Sequence, residues 1–309
     1  MKTGLTALIG LALLPVVADP HMTTLALRAL IYSLIALSFI LLAGLLGLVS
    51  LLQTSFAGIA GYAVAILSTR YGWSAEISAL SALAIVAATA LVFGLVTLRA
   101  TGIAFMMLTL VLGQMVWALT FQWVDLTRGM DGIVGITLPI VAGIDFATSH
   151  ALYDCAALTT VLAYVGAHRL THSRFGLLLR GIQDNPVRMR ALGFPIHSAR
   201  LMLFVLASLP AALGGILLAW EARIVAPVSL DLSRAIFVLT AAVVGGYRSL
   251  LGGPIGVVLM VLLEAVISRY TERHLAVFGT LLATTIVLLP NGITAWRFPL
   301  LHKKNGDIS

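Results

Sequence analysis

Charge is scarce in this sequence: Lys, Arg, Asp and Glu together make up 31 of 309 residues. There is one cysteine, Cys155, which excludes an internal disulfide framework and any paired-cysteine metal site. No G-x-x-x-x-G-K-[ST] phosphate loop and no H-E-x-x-H helix occurs, so the chain lacks the usual nucleotide cradle and the metalloprotease zinc site. The seven histidines (21, 150, 168, 172, 197, 274 and 302) fall at or beyond the ends of apolar runs. His168 and His172 share a helix face, but no neighbouring carboxylate completes a ligand set. These gaps argue against a soluble enzyme, and no metal or cofactor is expected. What is abundant is apolar: 60% of residues against roughly 45–50% in a soluble domain, with a mean hydropathy of +1.06. A spanning helix needs about 20 such residues, and too little chain remains between the apolar runs for a separate catalytic domain. The composition is that of an all-α polytopic membrane protein. Stretches such as 79–96 lack the polar–apolar alternation of a membrane barrel strand, and lipid leaves the backbone of each run no partner but its own.

Ten crossings are expected, at 4–18, 25–49, 53–68, 77–97, 103–120, 150–167, 200–220, 233–246, 252–268 and 275–290, forming a single transmembrane domain over 1–309. Two of these, 53–68 and 233–246, are short and flanked by glycine. A broken or re-entrant helix of that kind requires burial or a cavity. The longest polar stretch, 168–200, holds Arg169, Arg174, Arg180, Arg188, Arg190 and Arg200 against one acid, Asp184. The positive-inside rule places it in the cytoplasm, and threading outward from it puts both termini there. The inner side then carries twelve basic residues against two acids and the outer side seven against nine, which accounts for the pI near 10 without nucleic acid. The first run, with Lys2 before it and Val16-Val17-Ala18 after it, also fits a cleaved signal peptide. The even number of crossings favours retaining it, and sequencing of the mature N-terminus distinguishes the two. Crossings 25–120 and 200–290 contain four spans each in opposite senses, the arrangement of an inverted repeat.

Within 168–200 the punctuation is specific. Asp184-Asn185-Pro186 reads as a helix start, a cap followed by proline at the first helical position, and Gly193 with Pro195 reads as a stop. Ser173 to Gln183 reads as a preceding short helix with Leu177, Leu178 and Ile182 as its apolar set. Two short helices with a tight break make a compact docking knob; a solvated loop whose arginines touch anionic lipid is the alternative.

Ser173-Arg174-Phe175-Gly176, Arg180-Gly181-Ile182-Gln183-Asp184-Asn185 and Ala191-Leu192-Gly193 resemble the cytoplasmic loop of branched-chain amino acid ABC importer permeases, most closely the LivM type of subunit. The resemblance continues in order along the chain. It takes in Gly47-Leu48-Val49-Ser50-Leu51 with Phe56, Gly58 and Gly61-Tyr62, then Arg99 and Gly102-Ile103-Ala104-Phe105 with Thr109-Leu110 and Gln114. Thr127-Arg128-Gly129-Met130-Asp131-Gly132-Ile133 follows, then Val244-Gly245-Gly246, Leu251-Gly252-Gly253-Pro254-Ile255-Gly256 with Leu263-Glu264, and Leu289-Pro290-Asn291-Gly292. The resemblance implies a multi-pass subunit of a bacterial inner membrane that forms half of a translocation path. It implies separate ATPase subunits, a second permease subunit in a heterodimer, an extracytoplasmic solute-binding protein and a small amino acid or amide as solute. It also implies a coupling helix, carried here by Arg180, Asp184, Asn185, Pro186, Arg188, Met189, Arg190 and Gly193. The chain departs from the pattern at Leu52-Gln53, where Gly-His is usual, and at Asn185-Pro186 and Arg190, where Asn-Glu and a later Glu are usual. Like charges across an interface cost several kcal/mol, so an ATPase docking there is expected to present matching acids.

Five polar residues inside the apolar runs are candidates for the path: Gln53, Thr54, Ser55, Gln114 and Glu264. For the amide and hydroxyl groups, interhelical hydrogen bonding is the competing role. For Glu264, with Arg269 five residues on and poorly aligned with it, snorkelling to the interface is the competing role. Gly252 and Gly256 form a small-xxx-small pair for close helix packing, with Gly58, Gly61, Gly245 and Gly246 expected to act alike. Tyr71, Trp73, Trp123 and Trp220 are expected in an interfacial belt. An autonomous secondary transporter or channel for a small polar solute is the alternative function, but the span interiors hold few polar groups for a coupling-ion site.

Overall fold

A computed structural model of the chain describes residues 20–141, 144–145, 149–247, 249–267, 279–280 and 284. The expected first crossing, 4–18, lies outside the described residues, as do nearly all of the last, 275–290, and the motif Leu289-Pro290-Asn291-Gly292. The other eight crossings are each a helix: α1 Pro20–Leu46, α2 Gln53–Thr69, α3 Ala75–Thr97, α4 Ile103–Gln122, α6 Ser149–His172, α9 Ile196–Ala222, α10 Leu232–Gly245 and α11 Gly252–Ile267. Among the described residues, three short α-helices lie between them: α5 Val124–Thr127, α7 Arg174–Asp184 and α8 Pro186–Ala191. Among the described residues, α1, α3, α4 and α9 are long and apolar enough to cross a membrane. At 1.5 Å per residue, α2 and α10 reach only about 26 and 21 Å, short of a bilayer core of about 30 Å.

The described residues are not purely helical: they include four strands of two residues each. β1 Ile133–Val134 pairs antiparallel with β4 Ile224–Val225, and β2 Ile140–Val141 with β3 Ile144–Asp145. The first ladder ties the segment after α4 to the segment after α9, which satisfies backbone groups that a loop would leave open.

The helices differ sharply in what they face. In α1, 94% of the apolar stretch is buried, whereas in α3 and α4 the figure is 22%. Thus α1 is the central post, packed against α9, α11, α6 and α10, while α3 and α4 form an outer wall with Leu80, Val92, Met107 and Val111 exposed. The short α2 is buried over most of its length between α9, α3 and α1, so its backbone is shielded as a short intramembrane helix requires. Phe204 of α9 sets the spacing of this layer, meeting Phe56 at 5.8 Å and Phe105 at 6.4 Å, both edge-to-face.

Glycine governs the closest approaches. A Cβ on Gly256 would fall on the Ala241 carbonyl oxygen, and one on Gly245 on the Gly252 carbonyl oxygen. The packing expected of Gly252, Gly256 and Gly245 is therefore a backbone-to-backbone contact between α10 and α11. Gly215 makes an equivalent contact with the Ala57 carbonyl, joining α9 to α2; the sequence reading passed over it. Two further expectations are corrected. Trp220 is buried rather than part of an interfacial belt, while Tyr71, Trp73 and Trp123 are exposed. On α7, Leu179 and Ile182 are fully buried, whereas Leu177 is 71% exposed. The buried stripe runs through 175, 178, 179 and 182 at helical spacing, and Leu177 lies on the other face.

Candidate functional site

Two features stand at opposite ends of α9: a protruding helix pair before its N-terminus and a charged cavity around its C-terminus. The pair is built from local rules. Ser173 accepts the Gly176 N–H at 3.2 Å to start α7, and Asn185 Oδ1 accepts the Arg188 N–H at 2.9 Å to start α8, with Pro186 at the first position. Gly193 ends α8 in a left-handed conformation (φ +82°), where its N–H donates to the Arg190 carbonyl and that of Phe194 to the Met189 carbonyl. The removal of Asn185 as a cap, Asn185→Ala, is expected to cost about 1 kcal/mol of local helix stability. Hydrogen exchange of the 187–191 amides should rise accordingly while α7 is unchanged.

α7 is seated by Gly176, Leu179 and Ile182 on α1 and α6. Arg180 donates to the Thr171 carbonyl at 3.0 Å, which pins α7 to the end of α6. Met189 lies partly buried against Gly181, with its sulfur 3.0 Å from where a Cβ would sit, so it clasps α8 onto α7. Apart from Met189, every residue from 183 to 195 is exposed. Asp184, Asn185, Pro186, Arg188, Arg190 and Gly193 are thus all exposed on the outside of the pair. That surface also carries Val187 at 75% exposure, Leu192 at 65% and Phe194 at 43%. Of these, Val187 and Phe194 were not singled out from the sequence; a signal existed in their lying beside the cap and stop residues. Beneath the pair, Gln183 and Asp184 border a cavity of about 440 Å³ with Gly44, Gly47 and Tyr247. The end of α7 therefore adjoins both the α1–α2 turn and the α10–α11 turn.

The second feature is a cavity of about 510 Å³. Its rim carries Arg28 and Glu221, whose Nε and Oε1 lie 3.0 Å apart, and Arg234 and Glu264, whose Nη1 and Oε1 lie 3.6 Å apart. Tyr32 stands beneath Arg234, its ring centroid 6.0 Å from the guanidinium carbon. The lining continues through Ile35, Ala57, Gly58 and Gly61 to Thr54, with Gly61 and Thr54 about 10 Å apart along α2 by helical rise.

The structure brings two of the five polar path candidates, Thr54 and Glu264, to this cavity. It places the other three elsewhere. Gln53 is buried and accepts a hydrogen bond from Ser38 of α1, the interhelical arrangement. Ser55 is buried facing Gly113 of α4, and Gln114 is half-buried on α4. Glu264 does not stand alone as a snorkelling side chain: its partner is Arg234 on the neighbouring helix. That pairing was legible, since residues 234 and 264 lie equally far from a turn centred near 249 and an antiparallel helix hairpin brings such positions together. Arg28 and Glu221, 193 positions apart, carry no comparable signal.

Residues 21–290 match the family described as branched-chain amino acid transport system, permease component. The chain is 26% identical to the high-affinity branched-chain amino acid transport system permease protein LivM of Escherichia coli, across 99% of this chain and 77% of the relative. It is 25% identical to the protein of the same name from Salmonella typhimurium, across 99% and 78%. A probable branched-chain amino acid transport permease protein LivH of Methanocaldococcus jannaschii is 27% identical over 54% of this chain and 58% of its own length. No solved structure matches. The helical bundle, the ordered glycine motifs and the match over nearly all of its length converge: the chain belongs to the branched-chain amino acid transport system permease family.

Proposed function

We propose that this chain is one permease subunit of an ATP-driven importer of small amino acids or related amides in a bacterial inner membrane, paired with a second, different permease and served by separate ATPase subunits and an extracytoplasmic solute-binding protein. The exposed 183–195 surface carries the proposal. Arginines and bare apolar side chains on a rigid, capped helix pair are the composition of a docking site, whereas a solvated loop has no use for Val187, Leu192 and Phe194 in water. In this reading Arg188, Arg190, Asp184, Asn185 and Pro186 meet the ATPase, Met189 and Gly193 shape the helix that does so, and Arg180 ties it to α6. Movement of the ATPase would pass through α7 to the α1–α2 and α10–α11 turns that it adjoins.

The basic surplus around this element supports a cytoplasmic placement, and with it both termini inside and ten crossings. The charged cavity at the opposite end of α9 then opens on the outer side, where a solute would arrive. A passive gate moves nothing uphill by itself. The purified chain reconstituted alone in liposomes should accumulate no solute. With its partner permease, receptor, ATPases and ATP it should accumulate leucine, and accumulation by the chain alone would overturn the reading.

A further inference from the structure

Among the described residues lining the cavity, the charged side chains form two opposite-sign pairs that sum to zero: Arg28 with Glu221 and Arg234 with Glu264. The two pairs differ in state. Arg28 and Glu221 are joined by a direct hydrogen bond, with Glu221 10% exposed. Arg234 and Glu264 stand 3.6 Å apart with side chains 38% and 32% exposed, beyond the 2.7–2.9 Å of a charge-assisted hydrogen bond. This second pair attracts but does not close, so each member keeps hydrogen-bonding capacity directed to the cavity. Tyr32 lies against Arg234 and is itself set edge-to-face on Phe237 at 5.3 Å, which restrains where the guanidinium can point. Below the pair, the wall of Ile35, Ala57, Gly58 and Val261 is apolar.

We propose that the Arg234–Glu264 pair is an exchangeable recognition site for a zwitterion, taking the carboxylate of an α-amino acid on Arg234 and its ammonium on Glu264 while the aliphatic side chain enters the apolar wall below. A dipolar solute replaces the internal pair charge for charge and leaves neither group unpaired. A singly charged solute satisfies one member and strands the other, and an uncharged amide competes poorly with the pair for itself. The Arg28–Glu221 bond holds α1 to α9 beside the site and is not exchanged. The inference rests on the proposed transport function for its solute, but its test needs neither ATPase nor receptor, so the two fail separately.

The test is saturation-transfer NMR and competition binding on the full chain in nanodiscs, with leucine, isovalerate, isoamylamine and isovaleramide as probes. Leucine should bind at least about tenfold more tightly than any of the three analogues, each of which lacks one or both charges. E264Q and R234Q should each remove about that advantage, leaving leucine no better than its analogues. The swapped variant R234E/E264R keeps an ion pair between α10 and α11 and guards against simple unfolding. If the pair is only a strut, the swap binds leucine as the unchanged chain does, and that result would overturn the proposal. Equal binding of leucine and isovaleramide by the unchanged chain would do the same. Loss of leucine binding in the swap, with circular dichroism and melting unchanged, supports it.

Discussion

A chain carrying Val187→Asp and Leu192→Asp should reach the membrane folded and purify without its ATPase. Both side chains are more than half exposed on the α8 surface, so neither substitution opens a cavity or buries a charge in the isolated subunit. At a docked interface the same positions would be desolvated. Truncation of a central apolar contact there costs about 1–2 kcal/mol or more, and two of them weaken association by about 3 kcal/mol, or roughly 150-fold. Titration of the detergent-solubilised permease pair with purified ATPase reads this directly. The matching control is Leu179→Asp, fully buried two turns earlier, which should reduce folded protein rather than docking alone. Undiminished ATPase binding by the double variant would move the docking site off α8.

Gly256→Val should unfold the α10–α11 hairpin, whereas Gly166→Ala should be harmless. The Gly256 position has the Ala241 carbonyl oxygen where its Cβ would go, and backbone cannot rotate aside as a side chain can. Overpacking of a tight core typically costs 1–3 kcal/mol; against two backbones in contact, about 3 kcal/mol or more is expected on the same grounds. Gly166 on α6 has nothing within 4 Å of an added Cβ, so alanine there should stabilise the helix by up to about 1 kcal/mol through propensity. Thermal unfolding in one detergent separates the two, and equal effects at both positions would show that close approach is not what Gly256 provides. Gly215→Val, facing the Ala57 carbonyl, should destabilise the α9–α2 contact in the same way.

These two cases mark how far a linear reading reaches. The α7–α8 pair was legible almost residue by residue, because caps, proline and glycine act within a few positions of the chain. Its buried face takes Leu179 in place of Leu177, because several leucines in a row offer more than one helical stripe. Gly252 and Gly256 were legible from their spacing, and Gly215 was not, since its partner Ala57 is far away in sequence. Of the polar path candidates, Thr54 and Glu264 meet at one cavity, whereas Gln53, their near neighbour in type and position, turns instead toward Ser38. One step along a helix rotates a side chain by about 100°, and nothing local says which direction holds a partner.

Composition and local pattern suffice to show that the chain is a bundle of membrane helices, where most of them begin and end, that basic residues gather on one connecting segment, and that this segment folds as two capped helices. Each follows from interactions between near neighbours or from the cost of polar groups in lipid. The tertiary structure alone decided that α1 is the buried post and α3 and α4 the outer wall, and that Arg28 meets Glu221 beside Arg234 and Glu264. A lipid tail and a protein interior are equally apolar, so a helix that faces one has the same composition as a helix that faces the other. Only packing distinguishes them, through the glycines that admit a neighbouring backbone and the few charges that must find each other.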